Sequence, residues 1–221
     1  MSTVKKQLFE QLALIAHSLG SPQRMEMLDY LAQAERGVDE LSKLTDLSIA
    51  NTSRHLQILK QNGIVSVRKQ GKSRLYQLAG DDVIQLISSL RVTAKKHLAE
   101  VERLTANLLD SSLREQTISS RELVNKIEDD NLLLLDVRPN KEFLQGHIQG
   151  AINILPEEIE EKSKQLASDK TVVAYCRGPY CVYSYEMLQS LRSRGIDALR
   201  LEEGFPEWKA AGLPFEQIFQ K

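Results

Sequence analysis

Cys176 and Cys181 are the two cysteines of this 221-residue chain, and only four residues separate them. A small secreted protein that depends on disulfides spreads its cysteines along the chain. A close pair in a cytosolic protein is instead typical of catalysis, redox chemistry or metal binding. Two thiolates do not complete a tetrahedral zinc site. The spacing therefore predicts redox or sulfur chemistry, with no metal and no cofactor.

The residues around Cys176 have the pattern strand, loop, helix. An apolar run at 171–175 precedes this cysteine, and a helical segment over 183–194 follows the loop. Since α/β proteins place their sites at the carboxyl ends of parallel strands, we expect the sulfur to lie above that edge of a sheet. Loop amides and the positive end of the following helix would stabilise a thiolate or persulfide, which makes Cys176 a candidate nucleophile. The predicted substrate-binding loop consists of Arg177, Gly178, Pro179 and Tyr180.

Strands and helices alternate in the second half of the chain. Apolar runs predict strands at 132–137, 171–175 and 198–201, and helical periodicity predicts helices at 119–127, 157–166 and 183–194. This alternation is typical of an α/β domain with a parallel sheet and helices on both faces.

The first half of the chain predicts a mainly α domain that contains a hairpin. Helices are predicted over 4–19, from Pro22 to about Gly37, over 39–45 and over 49–62, and strands over 64–68 and 75–78. Two short helices around a tight turn, followed by a hairpin, form the winged helix-turn-helix pattern, which places the second helix in the major groove of double-stranded DNA. One long helix is expected from Asp81 to about Leu109. Its apolar side and the helix over 4–19 would join two copies in a homodimer.

The distribution of charge favours a nucleic-acid interface in this first half. The formal net charge is −1, yet residues 47–80 contain six basic residues and no acidic one. Such a stretch indicates a nucleic-acid face. The recognition-helix residues expected to contact bases and phosphates are Ser48, Asn51, Thr52, Ser53, Arg54 and His55. The wing residues expected at phosphates or the minor groove are Lys69, Lys72 and Arg74.

Residues 39–79, DELSKLTDLSIANTSRHLQILKQNGIVSVRKQGKSRLYQLA, resemble the ArsR family of dimeric bacterial repressors. The resemblance extends from residue 10 to residue 105 and implies a homodimeric repressor. A two-fold dimer of this kind binds an inverted repeat in its operator DNA. Many members sense metals, but here the segment 40–44 lacks the cysteine ligands. The other site of the family is half complete, because His97 and Glu100 match one ligand pair whereas Ile84 and Leu86 occupy the second.

Residues 117–216 resemble the rhodanese domain. The sequence LLLLDVRPNKEFLQGHIQGAINI at 132–154 matches its D-V-R, E-F, G-H-I and G-A-x-N-I signature, and LEEGFPEWKAAGLPFE at 201–216 matches its closing motif. The resemblance implies that Cys176 accepts sulfane sulfur from a donor such as thiosulfate or polysulfide and carries it as a persulfide. The six-residue loop fits this activity, whereas the related arsenate reductases and phosphatases use a loop one residue longer. Asp136 and Arg138 are expected to support the site and not to react.

Cys181 is a departure from the rhodanese pattern. Many sulfurtransferases have arginine at this sixth loop position to bind the anionic donor, and Arg177 is the candidate replacement. Cys181 instead supplies a resolving thiol, which can attack a persulfide or sulfenate on Cys176. A direct disulfide requires Cα atoms within about 7 Å. A loop curled around an anion is expected to hold them slightly farther apart. The predicted bridge is therefore a disulfide or, with one or two inserted sulfur atoms that relieve this strain, a polysulfide.

These features predict a DNA-binding transcriptional regulator in which sulfur or redox chemistry at Cys176 and Cys181 changes operator affinity. Two alternatives remain open. The first is a thiosulfate or polysulfide sulfurtransferase with an uncoupled DNA-binding half, and the second is a regulator that responds to an oxyanion such as arsenate. A measured coupling free energy between the two halves would separate the first alternative from the prediction.

The predicted domains are a DNA-binding and dimerisation domain over 1–110, a polar linker over 111–117 and a rhodanese-like domain over 118–221. No apolar run approaches the ~20 residues that a membrane span needs. Glu10 and His17 interrupt the N-terminal apolar stretch, and no signal-peptide cleavage site follows. We therefore expect a soluble, cytoplasmic protein with no membrane partner.

Overall fold

The computed structural model describes residues 3–108, 116–127, 129–162 and 170–218. The chain forms two compact units, unit 1 (Met1–Ile84) and unit 2 (Gln85–Lys221). This division lies inside a helix and precedes the predicted boundary at residue 110, because the second part of that helix makes its contacts within unit 2. None of the helices in the described ranges is long and apolar enough to cross a membrane.

Unit 1 is mainly helical, as the sequence predicts. Its elements are α1 (Thr3–Leu19), α2 (Pro22–Gln33), β1 (Arg36–Gly37), α3 (Val38–Leu44), α4 (Ile49–Gln61), β2 (Val65–Gln70) and β3 (Ser73–Leu78). Serine caps start two of these helices, since the Ser21 side chain accepts from the Arg24 amide and the Ser48 side chain accepts from the Asn51 amide. The three strands form an antiparallel sheet in the order β1-β3-β2. The short strand β1 was not predicted.

A small apolar core holds α2, α3 and α4 together. Met27, Leu28, Leu41, Leu56 and Leu59 have no exposed surface. In contrast, α1 leaves a row of large apolar side chains exposed. They are Val4, Leu8, Phe9, Leu12 and Leu14.

The prediction of one continuous helix from Asp81 to about Leu109 is wrong. The structure has α5 (Asp81–His97) and α6 (Ala99–Leu108), separated at Leu98. The last turn of α5 contains two lysines and a histidine, and the first turn of α6 contains two glutamates. These charges stabilise a helix C-terminus followed by a new helix N-terminus, which accounts for the interruption without proline or glycine.

The sheet of unit 2 is parallel throughout, which confirms the predicted α/β class. Its strands are β4 (Thr117–Ile118), β5 (Leu132–Asp136), β7 (Ile152–Asn153), β8 (Thr171–Tyr175) and β9 (Ala198–Leu201), and their order is β4-β9-β8-β5-β7. Two further strands, β6 (His147–Ile148) and β10 (Phe215–Glu216), form a separate antiparallel pair. Thr117 pairs with Arg200 within the sheet. Its predicted place in a linker is therefore wrong, whereas residues 111–115 lie outside the described ranges.

Helices cover both faces of this sheet, as predicted. They are α7 (Ser120–Val124), α8 (Asn140–Gln145), a 3₁₀ turn (Pro156–Glu158), α9 (Ile159–Lys162), α10 (Val182–Ser193) and α11 (Phe205–Ala210). Neighbouring residues of one strand enter different cores, since Leu135 packs in the cluster that contains Leu188 of α10 whereas Leu134 packs in the cluster that contains Trp208 of α11. The helix predicted over 157–166 is described only to Lys162.

Candidate DNA interface and cysteine site

The turn between α3 and α4 is fixed by hydrogen bonds at its two ends. The Ser42 hydroxyl donates to the Leu47 carbonyl oxygen at 2.6 Å, and the Leu47 amide donates to the Ser42 carbonyl oxygen at 3.0 Å. Asp46 adopts a left-handed conformation with φ of 50°, which short polar residues tolerate in turns. This arrangement forms the helix-turn-helix, with α4 as the recognition helix.

The recognition helix exposes only part of the predicted contact set. Ser48, Asn51 and Arg54 are exposed, and Ser53 is half-buried. Thr52 is fully buried, and its hydroxyl donates to the Ser48 carbonyl oxygen at 3.0 Å. The prediction that Thr52 contacts DNA is therefore wrong, because its position on the helix faces the core.

His55 is half-buried within α4. Burial lowers the pKa of His55, and the positive charges of Arg24 and Arg54 lower it further. Its Nδ1 atom is buried and has no hydrogen-bond partner among the described residues. The surroundings of the imidazole therefore disfavour its charged form.

The wing presents the three predicted cations. Lys69, Lys72 and Arg74 are exposed, and the register pairs Lys69 with Arg74 across the hairpin. Arg68 differs from them, because its guanidinium forms two hydrogen bonds with the Glu35 carboxylate. Arg68 therefore attaches the wing to the segment after α2, and the other three cations remain available for DNA.

The cysteine loop connects β8 to α10 at the carboxyl edge of the parallel sheet, as predicted. Cys176 is 2% exposed, whereas Cys181 is half-buried and is the N-cap residue of α10. The two sulfurs are joined in a disulfide, and the Cα atoms lie 6.2 Å apart. The expectation that the loop holds these Cα atoms too far apart for a direct bridge is therefore wrong.

Arg177 of the cysteine loop is paired with Glu142. Its guanidinium donates to both carboxylate oxygens of Glu142, at 3.0 and 2.7 Å, and this carboxylate is buried. A bidentate pair of this kind has a fixed geometry and balances the charge of the arginine. Arg177 therefore ties the loop to α8, and its proposed replacement of the missing donor-binding arginine gains no support from this geometry.

Gly204 is a residue that the search for reactive side chains missed. A Cβ atom at this position would lie 2.4 Å from the carbonyl group of Arg177 and 2.5 Å from the amide nitrogen of Gly178. The next amide, that of Phe205, donates to the Cys176 carbonyl oxygen at 3.2 Å. The cysteine loop thus lies directly on the backbone before α11, and only glycine permits this contact. Gly204 lies in the closing motif at 201–216, which the sequence analysis matched to the rhodanese pattern. Only the structure shows that this glycine allows the cysteine loop to contact the backbone before α11.

Asp136 and Arg138 form a fully buried ion pair beneath the loop. Arg138 donates to the Asp136 carboxylate, with a shortest distance of 2.6 Å, and to the Gly146 carbonyl oxygen at 2.6 Å. Burial disfavours the charged guanidinium, but Asp136 outweighs that effect and raises the pKa of Arg138. The Arg138 guanidinium also lies 4.3 Å from the centre of the Phe205 ring. These contacts assign both residues a supporting role.

Tyr175 belongs to the same buried network. Its hydroxyl oxygen accepts from the Ile148 amide at 3.0 Å. Burial, followed by the negative charge of Asp136, raises the pKa of Tyr175 well above its ordinary value. No cluster of three or more potential metal ligands occurs among the residues that the structure describes.

The carboxylate of Glu207 connects the cysteine loop with α5 inside unit 2. One of its oxygens accepts from Arg91 Nη1 at 2.9 Å and from the Ser88 hydroxyl at 3.3 Å, and the other accepts from the Gly204 amide at 3.1 Å. A Cβ atom on Gly178 would lie 3.5 Å from Arg91 Nη1.

A helix-turn-helix with a basic wing, and a loop with two cysteines at the carboxyl edge of a parallel sheet, define a DNA-binding regulator with a rhodanese-like domain. The sequence profile of the "Bacterial regulatory protein, arsR family" matches residues 21–67, and that of the "Rhodanese-like domain" matches residues 119–211. The HTH-type transcriptional regulator Rv0324 of Mycobacterium tuberculosis is 38% identical over 213 residues, which cover 96% of this chain and 93% of the relative. The chain therefore belongs to the ArsR family of transcriptional regulators.

Two further similarities each concern one half of the chain. The putative sulfurtransferase YtwF of Bacillus subtilis is 34% identical over 98 residues, which cover 44% of this chain and 93% of that protein. The solution structure of the homodimeric winged helix-turn-helix domain of Mb0332 from Mycobacterium bovis is 36% identical, with a TM-score of 0.42, and covers 44% of this chain and 91% of that domain.

We expect Arg138→Ala to lower the free energy of unfolding of unit 2 by about 3–5 kcal/mol, because Asp136 would remain buried without its partner. Fluorescence of Trp208, the only tryptophan, reports on this core during denaturant unfolding. Arg103→Ala is the control, since it removes an exposed ion pair with Glu100 and should leave the transition unchanged. Equal transitions for the two variants would contradict the supporting role of the buried pair.

Proposed function

We propose that this regulator is a homodimeric repressor whose DNA affinity is controlled by sulfur or redox chemistry at Cys176 and Cys181. The observation that carries the proposal is the pair of cysteines at bonding distance within one loop of a DNA-binding regulator. A loop whose two sulfurs can form a bridge has two covalent states. Two states are what a switch requires, provided that they differ in affinity for DNA.

The proposed chemistry uses a sulfane-sulfur donor as the oxidant. The Cys176 thiolate attacks the terminal sulfur of a persulfide R–S–SH, forms Cys176–S–SH and releases R–S⁻. The Cys181 thiolate then attacks the Sγ atom of Cys176, closes the disulfide and releases HS⁻. The two thiolates are oxidised by two electrons, and the transferred sulfur leaves as hydrosulfide. The Cα separation of 6.2 Å accommodates this direct bridge.

The different burial of the two cysteines bears on how the bridge is reduced. In the bridged state Cys176 is almost fully buried, and Cys181 is the more accessible cysteine at the start of α10. A reducing thiol would therefore attack Cys181, form a mixed disulfide with it and release Cys176 as the thiolate. A second thiol would then attack the mixed disulfide, release the Cys181 thiolate and return the loop to the state that accepts sulfur.

The contacts of Glu207 support a route by which the loop could influence DNA binding. Gly204 lies against the loop, Glu207 accepts from the Gly204 amide, and Ser88 and Arg91 of α5 donate to the same carboxylate. In the sequence, α5 follows the wing strand β3 after two residues. Forming or breaking the bridge would move the loop and change these hydrogen bonds. Such a change would alter how α5 is held.

The homodimer is part of the proposal. Mb0332, whose winged helix-turn-helix domain is homodimeric, is the structural relative that motivates it. The exposed apolar side chains of α1 offer a surface that a second copy would cover. Two recognition helices related by a two-fold axis would then read an inverted repeat, with half-sites about one helical turn apart or a small multiple of it.

A sulfurtransferase without coupling to DNA binding is the second candidate. Similarity to YtwF, over almost the whole of that protein, favours it. The engagement of Arg177 by Glu142 and the presence of Cys181 in place of arginine argue against efficient use of thiosulfate. Sustained transfer of sulfur from thiosulfate to cyanide, without any change in DNA affinity, would favour this candidate over the switch. An arsenate response is the least supported, because the loop is one residue too short.

Substitutions in α4 and the wing should affect DNA binding differently. Arg54→Ala should cost about 1–3 kcal/mol on the operator if the guanidinium contacts a guanine. Lys72→Ala should weaken binding to all sequences about equally, because a phosphate contact carries no sequence information. Fluorescence anisotropy on operator and scrambled duplexes measures both effects.

Lys126→Ala, an exposed charge of unit 2, is the control for these variants. Native mass spectrometry of the complex should give two chains per operator duplex. Unchanged operator affinity of the Arg54 variant would contradict the assignment of α4 as the helix that reads bases.

The cysteine variants separate the two steps of the proposed chemistry. After treatment with polysulfide, Cys181→Ser should keep a persulfide on Cys176 without forming a bridge, and Cys176→Ser should show neither product. Intact-mass analysis identifies the products, and operator binding of each product gives its affinity. If both variants respond on operator DNA as the wild type does, the cysteine pair is not the sensor.

Glu207→Gln should reduce the coupling between the loop and DNA. Allosteric coupling is typically 1–3 kcal/mol, so the operator Kd of the wild type should differ about 5- to 150-fold between the reduced and bridged states. This ratio should fall toward one in Glu207→Gln, because a neutral amide holds Arg91 less strongly. Glu203→Gln is the matched control, since Glu203 accepts from Ser120 and not from α5. Equal ratios in both variants would exclude this route while leaving the cysteine switch itself intact.

A further inference from the structure

Unit 2 contains a cavity of about 400 Å³ beside the cysteine loop. Its walls come from α5, from Pro179 and Tyr180 of the loop, from α10 and from the end of β9. Sites for small molecules commonly have volumes of about 300–1,000 Å³. Neither cysteine lines this cavity, so it is distinct from the position at which the sulfur chemistry is proposed.

Arg200 in the cavity wall is a buried cation that forms no close ion pair within the described ranges, although the negative charges of Glu202 and Glu203 lie near enough to favour its charged form. Only 7% of its surface is exposed, and its guanidinium lies 4.7 Å from the centre of the Tyr185 ring. Nη1 donates to the carbonyl oxygens of Leu201 and Glu202, at 2.8 and 3.3 Å, whereas Nε has no hydrogen-bond partner among the described residues. Within the described ranges no carboxylate forms an ion pair with this arginine. Buried charges in folded proteins are normally paired, so this one points to an anion.

The carboxylates that line the same cavity already have donors. Their pairs are Glu202 with Thr117, Glu203 with Ser120, and Glu207 with Arg91 and Ser88. Lys95 of α5 also lines the cavity, is exposed and forms no ion pair with any residue that the structure describes. The lining contains three acidic and three basic side chains, and Arg200 and Lys95 are the two cations in it that form no close ion pair with a described carboxylate.

The rest of the lining is largely apolar and aromatic. Val92, Pro179, Tyr180 and Tyr185 contribute this surface. Aromatic and proline side chains present flat apolar faces, against which a hydrocarbon or ring can pack. A free inorganic anion would leave this surface unused, whereas an organic anion with an apolar body would contact both kinds of wall.

We propose that this cavity binds a small organic monocarboxylate, whose anionic group pairs with Arg200 and Lys95 and whose apolar body packs against Tyr180 and Tyr185. The site belongs to no step of the sulfur chemistry. Its occupant would nevertheless contact the cysteine loop through Tyr180 and α5 through Lys95. It would therefore be a second input to the same regulator.

The test uses the full-length Cys176→Ser/Cys181→Ser variant, so that the result does not depend on the state of the loop. Binding of benzoate, phenylacetate and hexanoate is measured by isothermal titration calorimetry and by saturation-transfer NMR. At least one of these carboxylates should bind with a stoichiometry of one per chain. Benzamide and benzylamine, the neutral and cationic analogues of benzoate, should bind at least about tenfold more weakly than benzoate binds. Absence of saturable binding by all three carboxylates at millimolar concentrations would overturn the proposal.

Charge variants on α5 locate the site. Lys95→Glu should weaken carboxylate binding at least about tenfold. Lys96→Glu, which makes the same change one residue along the helix and outside the lining, should leave binding unchanged. Arg200→Lys should also weaken binding, and thermal unfolding verifies that each variant is folded. Equal affinities in Lys95→Glu and Lys96→Glu, or equal binding of benzoate and benzamide, would show that the carboxylate does not occupy this cavity in the proposed way.

Discussion

The buried ion pair of Asp136 and Arg138 is the interaction on which the cysteine site depends. Both side chains have no exposed surface, so each charge would be costly without the other. Arg138 holds the Gly146 carbonyl oxygen and lies against Phe205, whose amide binds the Cys176 carbonyl oxygen. The pair thereby links the end of β5, the segment after α8 and the start of α11. This network therefore supports the backbone on which the cysteine loop packs.

The charges near the loop are distributed in a way that suits thiol exchange better than the binding of inorganic oxyanions. Arg177 is balanced by a buried carboxylate, and a second cysteine occupies the sixth loop position. Arg200, which forms no close ion pair within the described ranges, lies instead in the wall of the neighbouring cavity. The cavity proposed for a carboxylate is thus separate from the two cysteines at which the sulfur chemistry is proposed.

In the DNA-binding half, buried or paired residues support the fold, and exposed, unpaired residues are available for DNA. Thr52 is buried in the core, whereas Asn51 and Arg54 on the same helix remain exposed for bases and phosphates. Arg68 is held by Glu35 at the base of the wing, which leaves the cations near the tip unpaired by that carboxylate. Helix α5 follows the wing in the chain and makes hydrogen bonds with Glu207 inside unit 2.

The sequence by itself determined both fold classes, the helix-turn-helix with its wing, and the position of Cys176 at the end of a strand, because apolar periodicity and local motifs encode these features. Tertiary structure decided which side chains are accessible and which charges are already paired. Residues distant in the chain bury Thr52, engage Arg177 and bring Gly204 against the loop. The charges of the turns on both sides of Leu98 indicate a helix end and a new helix start. The apolar spacing continues through this position, and for that reason the sequence predicted one continuous helix. Burial and pairing depend on contacts between distant segments, and no local pattern records them.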